Sequence, residues 1–302
     1  MSEENACRDN TICCPPNSWP AGNSGTKSLD GVTGELLTIT DDDLEIYITS
    51  SPSYSDPQHQ PKRAIMVFTD VYGLQNRLFA ICDKLSREMN MPVVALDTFR
   101  GETKDDHIDD FIAWTSRHPY EEVTSSSSDE TTTDGENKTD IYPVSKDIDT
   151  TLDFLVEKYN VDPSSCDISA IGFCWGVWAV TKACAMGKFK CGVGFHPTLK
   201  FEDIHGGDQI SMTKTAAERS PLFFCVAGND MDNLKPPNGE VYQIISSSKH
   251  ETMRNNDDKP RCVEFPDMVH GWVSRGDTSI DKVKEDAEAA LNMACVFLHN
   301  WM

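Results

Sequence analysis

Residues 167–180 read DISAIGFCWGVWAV, and the fold turns on them. Ile168–Phe173 is a short apolar run of strand length, and from Trp175 onward the composition is that of a helix. The junction, Gly172-Phe173-Cys174-Trp175-Gly176, has the form Gly-x-nucleophile-x-Gly. A nucleophile on a sharp strand-to-helix turn is forced into a strained conformation and crowded by its neighbours. Glycines two residues before and after remove the clashing Cβ atoms. The turn aims the side chain at the first turn of the helix, whose N–H groups and dipole favour an anion, here the attacking thiolate. A lone G-x-C-x-G carries little; its place between a strand and a helix gives it weight.

Outward from this junction the same grammar repeats. RAIMVFT (63–69), MPVVALD (91–97), CGVGF (191–195), PLFFCVAG (221–228) and RCVEF (261–265) are further short runs of the kind that fill a parallel sheet. Helical spacing falls between them. Leu78, Cys82, Leu85 and Met89 recur along 76–89, and Ile108, Phe111 and Ile112 share one side of a helix beginning at Asp105. Residues 146–160 are amphipathic, and a long amphipathic helix closes the chain from Asp281. Ahead of all these, GELLTI (34–39) and DLEIYIT (43–49) flank an acidic turn and read as an antiparallel pair. The pattern predicts an α/β fold with a mainly parallel central sheet and helices on both faces.

One domain, residues 34–302, is expected, with residues 1–33 as an irregular arm lying on it. Residues 121–140, EEVTSSSSDETTTDGENKTD, hold seven acids against one lysine. Such a composition cannot offset ordering entropy by burial, so a disordered surface insertion is expected there.

The 302 residues carry 49 Asp+Glu against 27 Lys+Arg, a formal net charge of −22. That excess repels phosphate backbones and anionic lipid, so neither nucleic acid nor membrane is an expected partner. No run approaches the ~18 apolar residues of a membrane span. The N-terminus lacks the basic and apolar regions of a secretory signal. A cytoplasmic protein is expected, a monomer rather than an oligomer, with no cofactor and no metal. Most of the eleven cysteines sit in apolar runs with no C-x-x-C pair, and they read as buried free thiols. Cys7, Cys13 and Cys14 cluster in the arm; without a spaced fourth ligand they fall short of a zinc site.

A nucleophile elbow requires an acid and then a histidine further along the chain. PLFFCVAGND ends a strand at Asp230, with Asp232 as a nearby competitor, and RCVEFPDMVHGWVSRGD leads a strand into His270. His270 then serves as base and acid, and Asp230 holds its tautomer. With GFCWG, AGND, VHGWVSRGD and TDVYG (69–73) in view, the chain resembles the dienelactone hydrolase family, the carboxymethylenebutenolidases, an α/β-hydrolase branch with a cysteine nucleophile. CCPPNSWPAG in the arm resembles the start of eukaryotic members.

The resemblance implies a triad of Cys174, Asp230 and His270. It places on Asp70 the acid that helps remove the thiol proton when substrate binds, where the bacterial prototype carries glutamate. It assigns the oxyanion hole to the backbone N–H groups of Val71 and Trp175, and a carboxylate clamp to Arg100 or Arg275, each displaced by about a residue from the bacterial spacing. A surface or loop-stabilising salt bridge is the competing reading for both arginines. Tyr72 and Trp175 suit a pocket wall, and Trp178 the core. The implied activity is cofactor-free hydrolysis of small esters or lactones, dienelactones included, through an acyl-thioester. The competing reading is a non-catalytic or redox-sensing protein of the same fold, with Cys174 as its reactive thiol. A sensor has no need of the acid and the base.

Overall fold

The computed structural model describes residues 13–20, 27–39, 43–50, 63–122, 140–159, 167–250 and 261–302. Its elements are, in chain order, β1 (Glu35–Thr38), β2 (Glu45–Thr49), β3 (Ala64–Phe68), α1 (Asn76–Met89), β4 (Val93–Leu96), α2 (Phe111–Ser116), α3 (Val144–Tyr159), β5 (Ile168–Phe173), α4 (Trp175–Ala185) and β6 (Gly192–Phe195). They continue with α5 (Phe201–Ile204), α6 (Gln209–Arg219), β7 (Leu222–Ala227), α7 (Glu240–Ser247), β8 (Cys262–Phe265), α8 (Trp272–Arg275) and α9 (Asp281–Trp301). The sheet runs β1-β2-β4-β3-β5-β6-β7-β8, antiparallel at β1–β2 and β2–β4 and parallel from β4 onward.

Alternate residues of the buried strands feed two cores, because successive side chains point to opposite faces. Met66 and Phe68 of β3 join Ala170 and Val177 on one face. Ile65 and Val67 join Ile171, Phe173, Val193 and Phe195 on the other, against α1 and α9. Leu78, Cys82, Leu85 and Met89 are all buried, as their spacing predicts. The helix expected from Asp105 is interrupted: a single 3₁₀ turn spans Lys104–His107, and α2 starts only at Phe111. The side-chain register does not run through the break, so Ile108 points outward at 59% exposure while Phe111 is buried.

Register brings the C-terminal strand ends level: Phe68 pairs with Gly172, Phe173 with Phe195, and Ala227 with Phe265. Ligand and catalytic groups of parallel sheets gather beyond such ends. Most of 121–140 lies outside the described residues, but its flanks meet. Tyr142 N–H donates to Arg117 O at 2.8 Å, and Val144 N–H to Pro119 O at 2.9 Å. The segment therefore leaves and rejoins the domain at one place. No described helix is long and apolar enough to cross a membrane.

Candidate active site

Cys174 stands between β5 and α4 with φ 52° and ψ −111°, a left-handed backbone that costs a non-glycine residue of order 1–3 kcal/mol. The flanking glycines make the turn fit. A Cβ on Gly172 would lie 2.4 Å from the backbone of Gly176, and one on Gly176 would lie 2.4 Å from Phe68 O. The peptide is pinned by Cys174 N–H to Phe195 O at 3.1 Å and by Thr198 N–H to Cys174 O at 3.2 Å.

The acid and the histidine arrive from β7 and β8. Asp230 Oδ1 lies 2.6 Å from His270 Nδ1, and Asp230 Oδ2 accepts the Ala227 N–H at 2.7 Å. Asn229 Oδ1 accepts the His270 N–H at 2.7 Å, fixing the loop that presents the ring. Asp232, the sequence competitor, is fully exposed and bonds to Lys235 instead. Burial pushes the His270 pKa down, but the neighbouring Cys174 and Asp230 charges outweigh it and hold the imidazolium well above the usual range. His270 Nε2 itself is buried and makes no hydrogen bond among the described residues. The Cys174 thiol is turned elsewhere, to Cys13 Sγ at 3.2 Å, Cys13 O at 3.6 Å and Thr198 Oγ1 at 3.6 Å.

The arm therefore lies directly over the elbow. Thr198 Oγ1 donates to Cys13 O at 3.0 Å, Asn229 Nδ2 to Pro16 O at 3.0 Å, and Trp19 N–H to His270 O at 2.9 Å. Cys174 and His270 are left with no exposed surface. Cys13 Sγ is 3.7 Å from Cys14 Sγ. Burial raises the Cys13 pKa well above the ordinary thiol value. Hydrogen bonds from Cys13 and Cys174, with the His270 and Arg275 charges behind them, hold Cys14 well below it. Most of the remaining described thiols are buried: burial pushes Cys191, which lies 3.1 Å from Ser169 Oγ, and Cys262 up to about 12, and Cys295 to about 11. Cys7 and Cys166 lie outside the described residues.

Asp70 does not touch the thiol. It is buried in a pair with Arg275, accepts Ser274 Oγ–H at 2.8 Å through Oδ2, and accepts the Tyr72 N–H at 2.9 Å through Oδ1. The Arg275 guanidinium lies 4.8 Å from the Tyr72 ring centroid and donates to Trp19 O at 3.0 Å. One of its nitrogens, Nη2, is buried with no acceptor among the described residues. Arg100 is committed elsewhere, bidentate to Asp147 at 2.9 and 2.7 Å and packed 4.5 Å from the Tyr142 ring centroid. Trp175 opens α4, where the first N–H groups have no helical partner. Among the described residues the amides of Val71 and Trp175 bond to no acceptor. Trp178 is core, its Nε1–H donating to Glu202 at 2.9 Å.

Sequence reasoning passed over three neighbours of the elbow: Thr198, Ser274 and His196. His196 is fully buried at the end of β6, with its ring centroid 5.0 Å from that of His270, and burial holds it well below its usual pKa. A histidine directly after a buried strand, at the same sheet edge as Cys174, was the available signal.

The model of the dienelactone hydrolase family matches residues 53–302. No curated protein sequence matches the chain. Among solved structures, a Klebsiella pneumoniae subsp. pneumoniae protein assigned as a dienelactone hydrolase superposes with a TM-score of 0.57 at 12% identity, over 90% of this chain and 100% of its own. A dienelactone hydrolase-like promiscuous phosphotriesterase from metagenomic libraries gives 0.58 at 14%, over 90% and 99%. A thermophilic esterase from the planctomycete Thermogutta terrifontis gives 0.51 at 12%, over 90% and 94%. Identities this low speak to the fold alone, which is that of α/β hydrolases. With the family match spanning the whole sheet from β3 onward, the chain belongs to the dienelactone hydrolase family and is a carboxylic ester hydrolase.

Proposed function

We propose that the protein hydrolyses small esters or lactones, dienelactones among them, with Cys174 as nucleophile, His270 as base and acid, and Asp230 as the residue that orients His270. The observation that carries this is the buried 2.6 Å Asp230–His270 pair set beside a cysteine on a strained elbow. A merely structural cysteine needs neither the strain nor the pair.

Attack begins when the thiol turns from Cys13 towards His270 and gives up its proton to Nε2, the imidazolium so formed being held by Asp230 while the thiolate adds to the carbonyl carbon. The tetrahedral oxyanion is held by the Val71 and Trp175 N–H groups. Collapse breaks the acyl–oxygen bond and leaves an acyl-thioester on Cys174. Water activated by His270, or by the enolate of an opened lactone, then releases the acid. A substrate carboxylate suits Arg275, whose planar fork has an uncommitted nitrogen. By competing for Arg275 it frees Asp70 to help remove the thiol proton. Arg100, held by Asp147, serves the loop after β4 in this scheme and not the substrate. The arm must move aside for substrate to enter, since Cys174 is fully buried and its thiol lies against Cys13. The site of action is cytoplasmic and the working unit a monomer on this reading.

Purified protein is assayed against small lactones, aryl esters and thioesters beside Cys174→Ala. Turnover of at least one class by the parent, abolished in the variant, is the expected result. Equal turnover in Cys174→Ala removes the cysteine mechanism.

A further inference from the structure

We propose that the sulfurs of Cys13, Cys14 and Cys174 form a binding site for one thiophilic d¹⁰ cation, zinc or an ion of its kind, whose occupancy blocks the nucleophile. The arm lacked a spaced partner in sequence; the fold supplies one from 160 residues away, since Cys13 and Cys174 are separated by 161 positions and touch.

Two observations carry the site. The three sulfurs lie within 4.8 Å of one another, the one such grouping among the described residues, with Cys13–Cys174 at 3.2 Å and Cys13–Cys14 at 3.7 Å. Three sulfurs bound to one ion at ~2.3 Å stand roughly 3.8–4.0 Å apart. Closing on a cation therefore asks only sub-ångström adjustments of side chains already facing each other. Next, the main chain of the arm is held by the Thr198 hydroxyl on Cys13 O, the Asn229 amide on Pro16 O and its own Trp19 N–H on His270 O, so binding need not order a free segment.

The donor set selects the ion. Sulfur is soft, and no carboxylate belongs to the group, so magnesium and calcium are disfavoured while zinc, cadmium and copper(I) are favoured. Each thiol that binds releases its proton to solvent, and no electron transfer is involved. Only the blocking of hydrolysis rests on the nucleophile reading above; the site itself rests on the sulfur geometry.

The test titrates the full chain, reduced with a phosphine and freed of metal, with Cd²⁺ as probe, following sulfur-to-cadmium charge-transfer absorption and aryl-ester hydrolysis together. The expected result is one Cd²⁺ per chain, with hydrolysis falling in parallel and returning on addition of a chelator. The Cys13→Ser/Cys14→Ser variant should bind Cd²⁺ at least about 100-fold more weakly, two of the three thiolates being gone, and whatever hydrolysis it retains should resist Cd²⁺ to the same degree. Cys174→Ala, with the arm intact, should also bind more weakly. If the doubly substituted arm binds and is inhibited as tightly as the parent, or if no one-to-one absorption develops, the site is refuted. Should the chain hydrolyse nothing, the absorption titration still decides the metal site while the nucleophile reading fails separately.

Discussion

Asp230→Asn preserves the size of the side chain and one of its acceptors, so it isolates what the second oxygen does. In the parent, Oδ1 meets His270 Nδ1 at 2.6 Å and Oδ2 accepts the Ala227 N–H at 2.7 Å, both within the buried interior. An asparagine has one oxygen for these two donors. If that oxygen faces His270, the amide NH₂ meets the Ala227 N–H, a buried donor–donor conflict costing about 1–3 kcal/mol. If it faces Ala227, the NH₂ donates to Nδ1 and drives the imidazole proton to Nε2, the atom that must accept from Cys174. Either the productive tautomer is raised in energy or it is absent. At ~1.4 kcal/mol per factor of ten, kcat/KM should fall by about 5- to 150-fold. The assay is kcat/KM for a good aryl ester, with a thermal midpoint on each protein and Asp232→Asn as the exposed control. The Asp232 side chain is exposed and pairs with Lys235, and its variant should behave like the parent. An Asp230→Asn enzyme within twofold of the parent would refute the orienting role of this residue.

Gly176→Ala places a Cβ 2.4 Å from Phe68 O and 2.7 Å from Thr69 O, backbone that cannot swing aside. It should lower stability by about 1–3 kcal/mol, read by urea denaturation, and lower kcat/KM by shifting the start of α4. His118 is buried among Phe99, Trp114 and Tyr142, and burial, reinforced by the Arg117 and Arg100 charges, lowers its pKa to about 3. A histidine depressed in the fold must stay neutral there, so stability is full above about pH 6.5 and is lost as pH falls; near pH 5 the loss is about 2 kcal/mol. His118→Phe, which forfeits no hydrogen bond among the described residues, should be less acid-sensitive than the parent by that amount in denaturation curves at pH 5 and 7. Replacing 121–140 by a short Gly/Ser bridge should leave thermal midpoint and kcat/KM nearly unchanged, because the flanks already meet at Arg117–Tyr142. A large loss of activity at an unchanged midpoint would make the segment part of the site.

The elbow was legible because its signals are local: two glycines, a strand before and a helix after specify the turn within five residues. Asp230 and His270 were legible for a related reason, as polar residues placed just beyond buried strands. The arm was not. Cys13 meets Cys174 across 161 positions, and a segment without periodicity carries no mark of where it docks. Asp70 and Arg275 were each singled out, but their pairing across 205 positions is a tertiary fact, as is the bidentate grip of Asp147 on Arg100. Ile108 shows the converse failure, where a helical spacing persisted across a break that the backbone makes after His107.

The most direct test of the account is to find the bond it requires. The protein is mixed with excess p-nitrophenyl acetate, quenched in acid during turnover, digested and mapped by mass spectrometry. The account predicts an acetyl group on the peptide carrying Cys174, formed during turnover and lost again once the ester is exhausted. Acetylation confined to Cys14 or to other residues, or undiminished ester hydrolysis by Cys174→Ala, would contradict it.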